Sequence, residues 1–200
     1  GGEPLAAEYK IIELLIQGIY DKLDDVKIGI QSNLWLLDEK LCRLFSEYHV
    51  EIGTSLDGPM QINDAQRGAG YFEKTMSGIK MAREYGINVG CIATLTAKSV
   101  LRWKEVFDFF IFNNLHFAIH PAVSALSGES GQEVKSEQYA IVFEEMFDYY
   151  IKHCKNIKIS TFDQLCQGVA QNQGAVCTFR NCFGMFLAID PDGNIYPCQR

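Results

Sequence analysis

The sequence has no apolar run approaching the roughly 20 residues of a bilayer-spanning helix, so no membrane crossing is expected. It is also short of positive charge. Its 18 Lys and Arg are outnumbered by 25 Asp and Glu, for a net charge of −7, whereas a surface that holds phosphate backbones needs clustered cations. Nucleic acid is therefore not an expected partner. There is no basic leader segment and no small-residue cleavage site, so nothing directs export and the cytoplasm is the expected compartment. Seven cysteines, an odd number, fit a disulfide framework poorly, and reduced thiols in a core or on a metal are expected instead. The 200 residues, 48% hydrophobic and 22% charged, have the composition of a globular protein of one or two domains.

The apolar residues that are present alternate in period along the chain. Val26 to Gln31 reads as a strand with Val26, Ile28 and Ile30 at period two, and Leu37 to Tyr48 as a helix. The cycle continues with strand Glu51 to Ser55, helix Tyr71 to Tyr85, strand Asn88 to Thr94, helix Val100 to Phe112, strand Leu115 to Ile119 and helix Glu137 to His153. Ile12, Leu15, Ile16, Ile19 and Leu23 form one helical stripe and Phe72, Met76, Ile79 and Ala82 another, and both should face a sheet. Repeated strand-helix units with short apolar strands imply an α/β fold with a parallel sheet, either doubly wound or a (β/α) barrel, and four strands are too few to close one. Gly1-Gly2-Glu3-Pro4 leads into the first helix as though a strand preceded it, and both ends read as cut.

Near the end, Cys177, Cys182 and Cys198 flank a short hairpin whose Asp190-Pro191-Asp192-Gly193 suits a tight turn. Thiolates gathered by a turn suit zinc or an iron-sulfur cluster, and a four-coordinate site needs one ligand more. In a parallel α/β fold, function sits in the loops after the strands. These are Gly1-Gly2-Glu3, Gln31-Ser32-Asn33, the stretch from Ser55 to Arg67, and His120-Pro121. The third is unusual, because fifteen residues (56–70) separate strand from helix where roughly 2 to 6 are typical. It carries Ser55, Asp57, Asp64 and Arg67, and an arginine fork suits a carboxylate or phosphate.

Gly-Gly-Glu-Pro after a strand, Gln-Ser-Asn after the next, Ser55-Leu-Asp-Gly-Pro with Asn63-Asp64 and Arg67, Gly70-Tyr71-Phe72 opening a helix, and the terminal cysteines together resemble the radical S-adenosylmethionine enzymes. The likeness is to the anaerobic sulfatase-maturating enzymes and peptide maturases with a SPASM or twitch extension. It implies a partial radical SAM (β/α) barrel of parallel strands with outer helices over 1–160, followed by a short cysteine-rich β-hairpin over 161–200, the start of a SPASM or twitch auxiliary-cluster module. By this resemblance Gly1, Gly2 and Glu3 contact the amino group of the methionine moiety of S-adenosylmethionine, Ser55 and Arg67 hold its carboxylate, and Ser32 and Asn33 lie near the ribose. Asp57 and Gly58 read as structural. The implied cofactors are S-adenosylmethionine and [4Fe-4S] clusters, with Cys177, Cys182 and Cys198 as partial ligands of an auxiliary one. The implied reaction is modification of a protein or peptide side chain through a 5′-deoxyadenosyl radical.

The chain contains no Cys-x3-Cys-x2-Cys loop, which holds the primary cluster in that family, so these 200 residues alone are expected to be inactive. Gln199 stands where sulfatase-maturating enzymes usually carry an aspartate, and glutamine has no ionisable group to act as a base. Modification of a ribosomally made peptide, such as a thioether crosslink, is the expectation that follows. The rival reading is a non-enzymatic zinc- or peptide-binding module built on the cysteine hairpin. Cys42, Cys91, Cys154 and Cys166 read as core thiols. Trp103, Phe107, Phe109, Phe110 and Phe112 read as aromatics packing a helix on the sheet, while His120 and Val123 are pocket candidates. The first strand, an open edge, is expected to be shielded or to mediate self-association.

Overall fold

The structure is a computed structural model that describes residues 2–124, 128, 131–155, 157–174 and 186–197. The chain divides into two compact units, Gly1–Ser160 and Thr161–Arg200. The first is built on a four-stranded, wholly parallel sheet in the order β1 (Gly29–Gln31), β2 (Glu51–Ser55), β3 (Val89–Leu95) and β4 (Phe117–Pro121). Chain order equals sheet order, as strand-helix-strand crossovers that step one strand at a time in the same direction produce. The helices are α1 (Tyr9–Tyr20), α2 (Glu39–Glu47), α3 (Met60–Arg67), α4 (Tyr71–Glu84), α5 (Trp103–Phe112), α6 (Ser136–His153) and α7 (Ser160–Ala170), the last running into the second unit.

Alternation along the strands separates two faces. Ile52 and Thr54 of β2, Val89, Cys91, Ala93 and Leu95 of β3, and Phe117 and Ile119 of β4 are buried. Their neighbours Gly53, Ser55, Gly90, Ile92, Thr94, Ala118 and His120 are half-buried or exposed. The buried face carries the core: Phe110 of α5 stacks on Phe117 at 4.1 Å between ring centroids, and Phe107 meets the same ring edge-on at 5.2 Å.

Several boundaries depart from the sequence expectation. β1 is three residues long, not six, because the last ladder-like bond is Glu51 N–H to the Ile28 carbonyl at 2.9 Å and nothing in β2 lies opposite Val26. The long loop after β2 is not structureless: α3 fills it, opened by Pro59, whose fixed φ suits a helix start. Pro4 opens a separate 3₁₀ turn, Pro4–Ala6, and α1 begins only at Tyr9. The α1 stripe buries Ile16 but leaves Leu15 and Leu23 exposed. In α5, Trp103, Phe107 and Phe110 share the buried face, whereas Phe112 falls two residues past it and is 89% exposed. Cys42 and Cys91 are core thiols, but Cys154 and Cys166 are exposed. Burial pushes the Cys91 thiol up to about 12 despite the Arg83 guanidinium, and burial with Asp38, Glu39 and Glu84 pushes Cys42 up to about 11.

The described part of the second unit holds α7 and an antiparallel hairpin, β5 (Ala188–Ile189) with β6 (Ile195–Tyr196). Its turn closes with Gly193 N–H donating to the Asp190 carbonyl at 3.0 Å, while Asp190 Oδ1 accepts from Asp192 N and Asn194 N. The Asn194 side-chain amide, with Asn194 N, the Tyr196 hydroxyl and Asp192 N, holds the Asp190 carboxyl below the usual carboxylate range against a smaller opposing effect of burial. Gly1, Cys177, Cys182, Cys198 and Gln199 lie outside the described residues.

Candidate functional site

Two polar clusters form at the carboxyl ends of the strands. In the first, Glu3 is drawn onto the loop after β1. Its Oε1 accepts from Ser32 Oγ at 2.6 Å and from Leu5 N at 3.1 Å, and its Oε2 accepts from Asn33 N at 2.9 Å. Ser32 is buried, and its hydroxyl also accepts from Leu34 N at 2.9 Å. Asn33 Oδ1 closes a small turn by accepting from Trp35 N. Leu34 takes a left-handed φ of 66°, unusual for a leucine, and it packs against Gly78 of α4. A Cβ on Gly78 would come within 2.5 Å of Leu34 Cβ and 2.8 Å of its carbonyl oxygen, so the helix approaches this loop only because residue 78 has no side chain.

The second cluster is centred on Asp57, whose side chain is only 2% exposed. Oδ1 accepts from Arg67 Nη2 and from Thr94 N, both at 2.8 Å, and Oδ2 accepts from Gln66 Nε2 at 2.8 Å. Arg67 Nε lies 2.7 Å from Oδ2, an ion-pair contact in which the N–H is misaligned for a hydrogen bond. Asp57 N donates to Asn63 Oδ1, and Gln66 also bonds the Thr94 carbonyl and accepts from Thr96 Oγ1. One carboxylate thus ties the end of β2 to α3 and to the end of β3. Ser55, the last residue of β2, is half-buried on the more open face, in register with Ile92.

Asp64 joins α3 to α4. It accepts from Gly70 N at 2.9 Å, Phe72 N at 2.8 Å and Asn63 Nδ2 at 3.1 Å, which caps the α4 amino end from outside. Burial pushes its carboxyl up, but these three donors outweigh it and hold the group below the ordinary carboxylate range.

An aromatic bridge links the two clusters. The Arg67 guanidinium sits 5.4 Å from the Tyr71 ring centroid, and Tyr71 meets Trp35 edge-on at 5.0 Å. Trp35 Nε1 donates to Thr75 Oγ1, which donates to the Asn33 carbonyl. A cavity of about 420 Å³ lies on the Gln66 side of the Asp57 network, lined among others by Thr96, Lys98, Ser99 and Arg102.

The structure therefore places Glu3, Ser32 and Asn33 in one cluster and Arg67 in the other, with Ser55 at the strand end between their loops. His120 lies on the more open face beside Thr94 and is exposed, as is Val123. The roles of Gln66, Tyr71, Trp35 and Gly78 were not legible in advance. Only the adjacency of Gln66 to Arg67 and of Trp35 to the Ser32-Asn33 pair could have marked any of them. Among the described residues no three His, Cys, Asp or Glu side chains come together to hold a metal ion. The chemical capacity of the site lies in its charges. A carboxylate has about four acceptor positions, and Glu3 fills three with uncharged donors, so it can still take a cation. Arg67 carries five N–H donors in a planar fork, which suits a carboxylate.

The profile of the Radical SAM superfamily matches residues 1–108. An uncharacterised protein of Methanothermobacter thermautotrophicus is 38% identical over 87% of this chain and 68% of its own length. A cysteine-type anaerobic sulfatase-maturating enzyme of Clostridium perfringens is 23% identical over 100% of the chain and 58% of its own length. A serine-type one of Bacteroides thetaiotaomicron is 26% identical over 100% of the chain and 54% of its own length. The chain thus spans little more than half the length of these maturating enzymes. The structure of native anSMEcpe with bound AdoMet and Cp18Cys peptide superposes with a TM-score of 0.88 at 22% identity, covering 100% of this chain and 59% of that one. Streptococcus suis SuiB bound to precursor peptide SuiA does so with a TM-score of 0.57 at 18% identity, over 80% of this chain and 37% of that one. At these identities the likeness is one of fold.

Proposed function

From the premise that this chain belongs to the Radical SAM superfamily, we propose that it is part of an enzyme that modifies a side chain of a protein or peptide, with the methionine end of S-adenosylmethionine held by the two clusters described above. Membership implies S-adenosylmethionine and an iron-sulfur cluster as cofactors. Bound together they would supply radical chemistry able to remove a hydrogen atom from the substrate. The residues of this chain bind and orient. The observation that carries the reading is the pair of opposite charges after neighbouring strands: Glu3, seated on the loop after β1 and bonded among the described residues to neutral donors, and Arg67, at the end of α3 after β2.

An α-amino acid presents an ammonium and a carboxylate one carbon apart, and this donor set fits both. Glu3 takes the ammonium. Arg67, with Ser55 at the end of β2, takes the carboxylate. Gly1 and Gly2 accompany Glu3, and Ser32 and Asn33 lie toward the ribose while also fixing the Glu3 rotamer. Cys177, Cys182 and Cys198, which lie outside the described residues, would serve an auxiliary cluster. The sequence holds no Cys-x3-Cys-x2-Cys loop, so the radical-generating set is not within these 200 residues, and they are inactive by themselves.

The substrate reading rests on Gln199. Without an ionisable side chain there, crosslinking of a ribosomal peptide fits better than formylglycine formation. The likeness to sulfatase-maturating enzymes on one side, and to SuiB bound to a precursor peptide on the other, supports a polypeptide substrate in either case.

Equilibrium dialysis of S-adenosylmethionine against the full-length, anaerobically purified protein tests the site. Glu3→Gln and Arg67→Gln are each expected to weaken binding roughly tenfold or more, the worth of a charge-assisted bond. Unchanged affinity in both variants would remove the assignment.

A further inference from the structure

Asp57 reads in the sequence as a structural residue, and both oxygens of its carboxylate are engaged by the surrounding chain. It is almost fully buried and accepts from Arg67 Nη2, Gln66 Nε2 and Thr94 N, with Arg67 Nε against Oδ2. Three accepted hydrogen bonds and the Nε contact engage both oxygens of this buried carboxylate, so it faces the protein rather than a ligand. Its effect is on the arginine. Nε and Nη2 form the side-on edge of the guanidinium, and both face Asp57. The edge that keeps fork geometry is the end-on one, made by Nη1 and the outer N–H of Nη2. The Tyr71 ring at 5.4 Å covers the guanidinium. Asp57 itself is pinned by Thr94 N of β3 and, through its own N–H, by Asn63 of α3.

We infer that Asp57 is a positioning residue for carboxylate recognition: by locking the side-on edge of Arg67 it presents the end-on edge to the carboxylate of the ligand's amino-acid end. The inference rests on the assignment of Arg67 to that carboxylate, made above. It also gives the site a way to select by shape. A guanidinium already paired with a buried carboxylate has much of its charge offset, so what distinguishes a carboxylate ligand is the geometry of two parallel N–H bonds rather than net charge.

The test compares two probes, S-adenosylmethionine and decarboxylated S-adenosylmethionine, which differ only in the carboxylate. Their dissociation constants are measured by anaerobic equilibrium dialysis with the full-length protein. The wild type is expected to prefer S-adenosylmethionine roughly tenfold or more. Asp57→Asn keeps the shape and an acceptor for Thr94 N, and it should lose most of that preference by weakening S-adenosylmethionine alone. A variant that weakens both probes in proportion would show that Asp57 acts only on the fold, and would overturn the inference while leaving the Arg67 assignment standing. A wild type that binds both probes equally would overturn the Arg67 assignment, and the inference with it. Should circular dichroism show Asp57→Asn unfolded, Asp57→Glu carries the same test. It keeps the charge but moves it by one methylene, so the preference should again fall, and a wild-type preference in that variant would overturn the inference.

Discussion

Glu3 and Asp57 are two carboxylates on neighbouring loops of one sheet, and they are held in opposite ways. Glu3 is half-buried and bonded to two backbone N–H groups and one hydroxyl, with no cation within ion-pair distance among the described residues. Asp57 is buried and matched by Arg67. Neutral donors fix the position of the Glu3 carboxylate while leaving its negative field to act outward, whereas the guanidinium at Asp57 absorbs that field. A carboxylate held by dipoles is equipped to attract a ligand cation, and one held by a cation is equipped to fix geometry. The neighbouring Asp64, held by two backbone N–H groups and an amide, belongs to the first kind by its donors but turns them to capping α4.

This contrast can be broken at four points. Asp57→Ala should have the largest effect on stability, about 3 kcal/mol or more in urea denaturation, because it leaves the part-buried Arg67 unpaired; a loss below about 1 kcal/mol would mean that Arg67 finds water or another partner. Gly78→Ala follows at about 1–3 kcal/mol, since its Cβ would press on the Leu34 backbone. The same variant should weaken S-adenosylmethionine binding by displacing Ser32 and Asn33. Glu3→Gln should cost only about 1 kcal/mol of stability, the value of one hydrogen bond turned donor to donor at Asn33 N. Its main effect is on ligand affinity, so a large stability loss with unchanged affinity would reverse the roles drawn for Glu3 and Asp57. The smallest effect is expected at Asp64. Because its native pKa is depressed, its stabilising contribution is complete above the ordinary carboxylate value near 4 and is lost as pH falls through the lower native one. The stability gap between wild type and Asp64→Asn should therefore be full at neutral pH and shrink in acid. A gap that is constant with pH would assign the effect to shape alone.

The parts legible in the sequence were those that depend on local pattern. β2 was readable to the residue, Glu51–Ser55, because its alternation is bounded on both sides by turn chemistry. The α4, α5 and α6 cores were readable to within a few residues from their apolar phasing. β1 was overread because Val26 and Ile28 alternate correctly but have no strand residue opposite them, and a strand exists only where a neighbour pairs with it. α3 was missed for the opposite reason. Met60–Arg67 is rich in Gln, Asn and Asp, and its helix is held by the Asp57 and Asp64 networks more than by any apolar stripe. Cys166 was placed in a core by the helical face it shares with Phe162, Leu165 and Val169, but burial on that face stops at Phe162, and Leu165, Cys166 and Val169 are exposed. At the site, residue types pointed to Glu3 and Arg67, while the pairing of Arg67 with Asp57 depends on a 10-residue closure through a helix that the pattern did not reveal.

The bridge from Arg67 through Tyr71 to Trp35 also has an optical consequence. The protein has two tryptophans. Trp103 is 5% exposed in the core, and Trp35 is 41% exposed, edge-on to Tyr71 with the Lys74 ammonium 4.5 Å from its ring. Indole emission responds to nearby charge and to hydration, so Trp35 is a native fluorophore wired to both halves of the site while Trp103 is a built-in reference. Selective quenching of the exposed indole by iodide, with and without ligand, would report occupancy without any label.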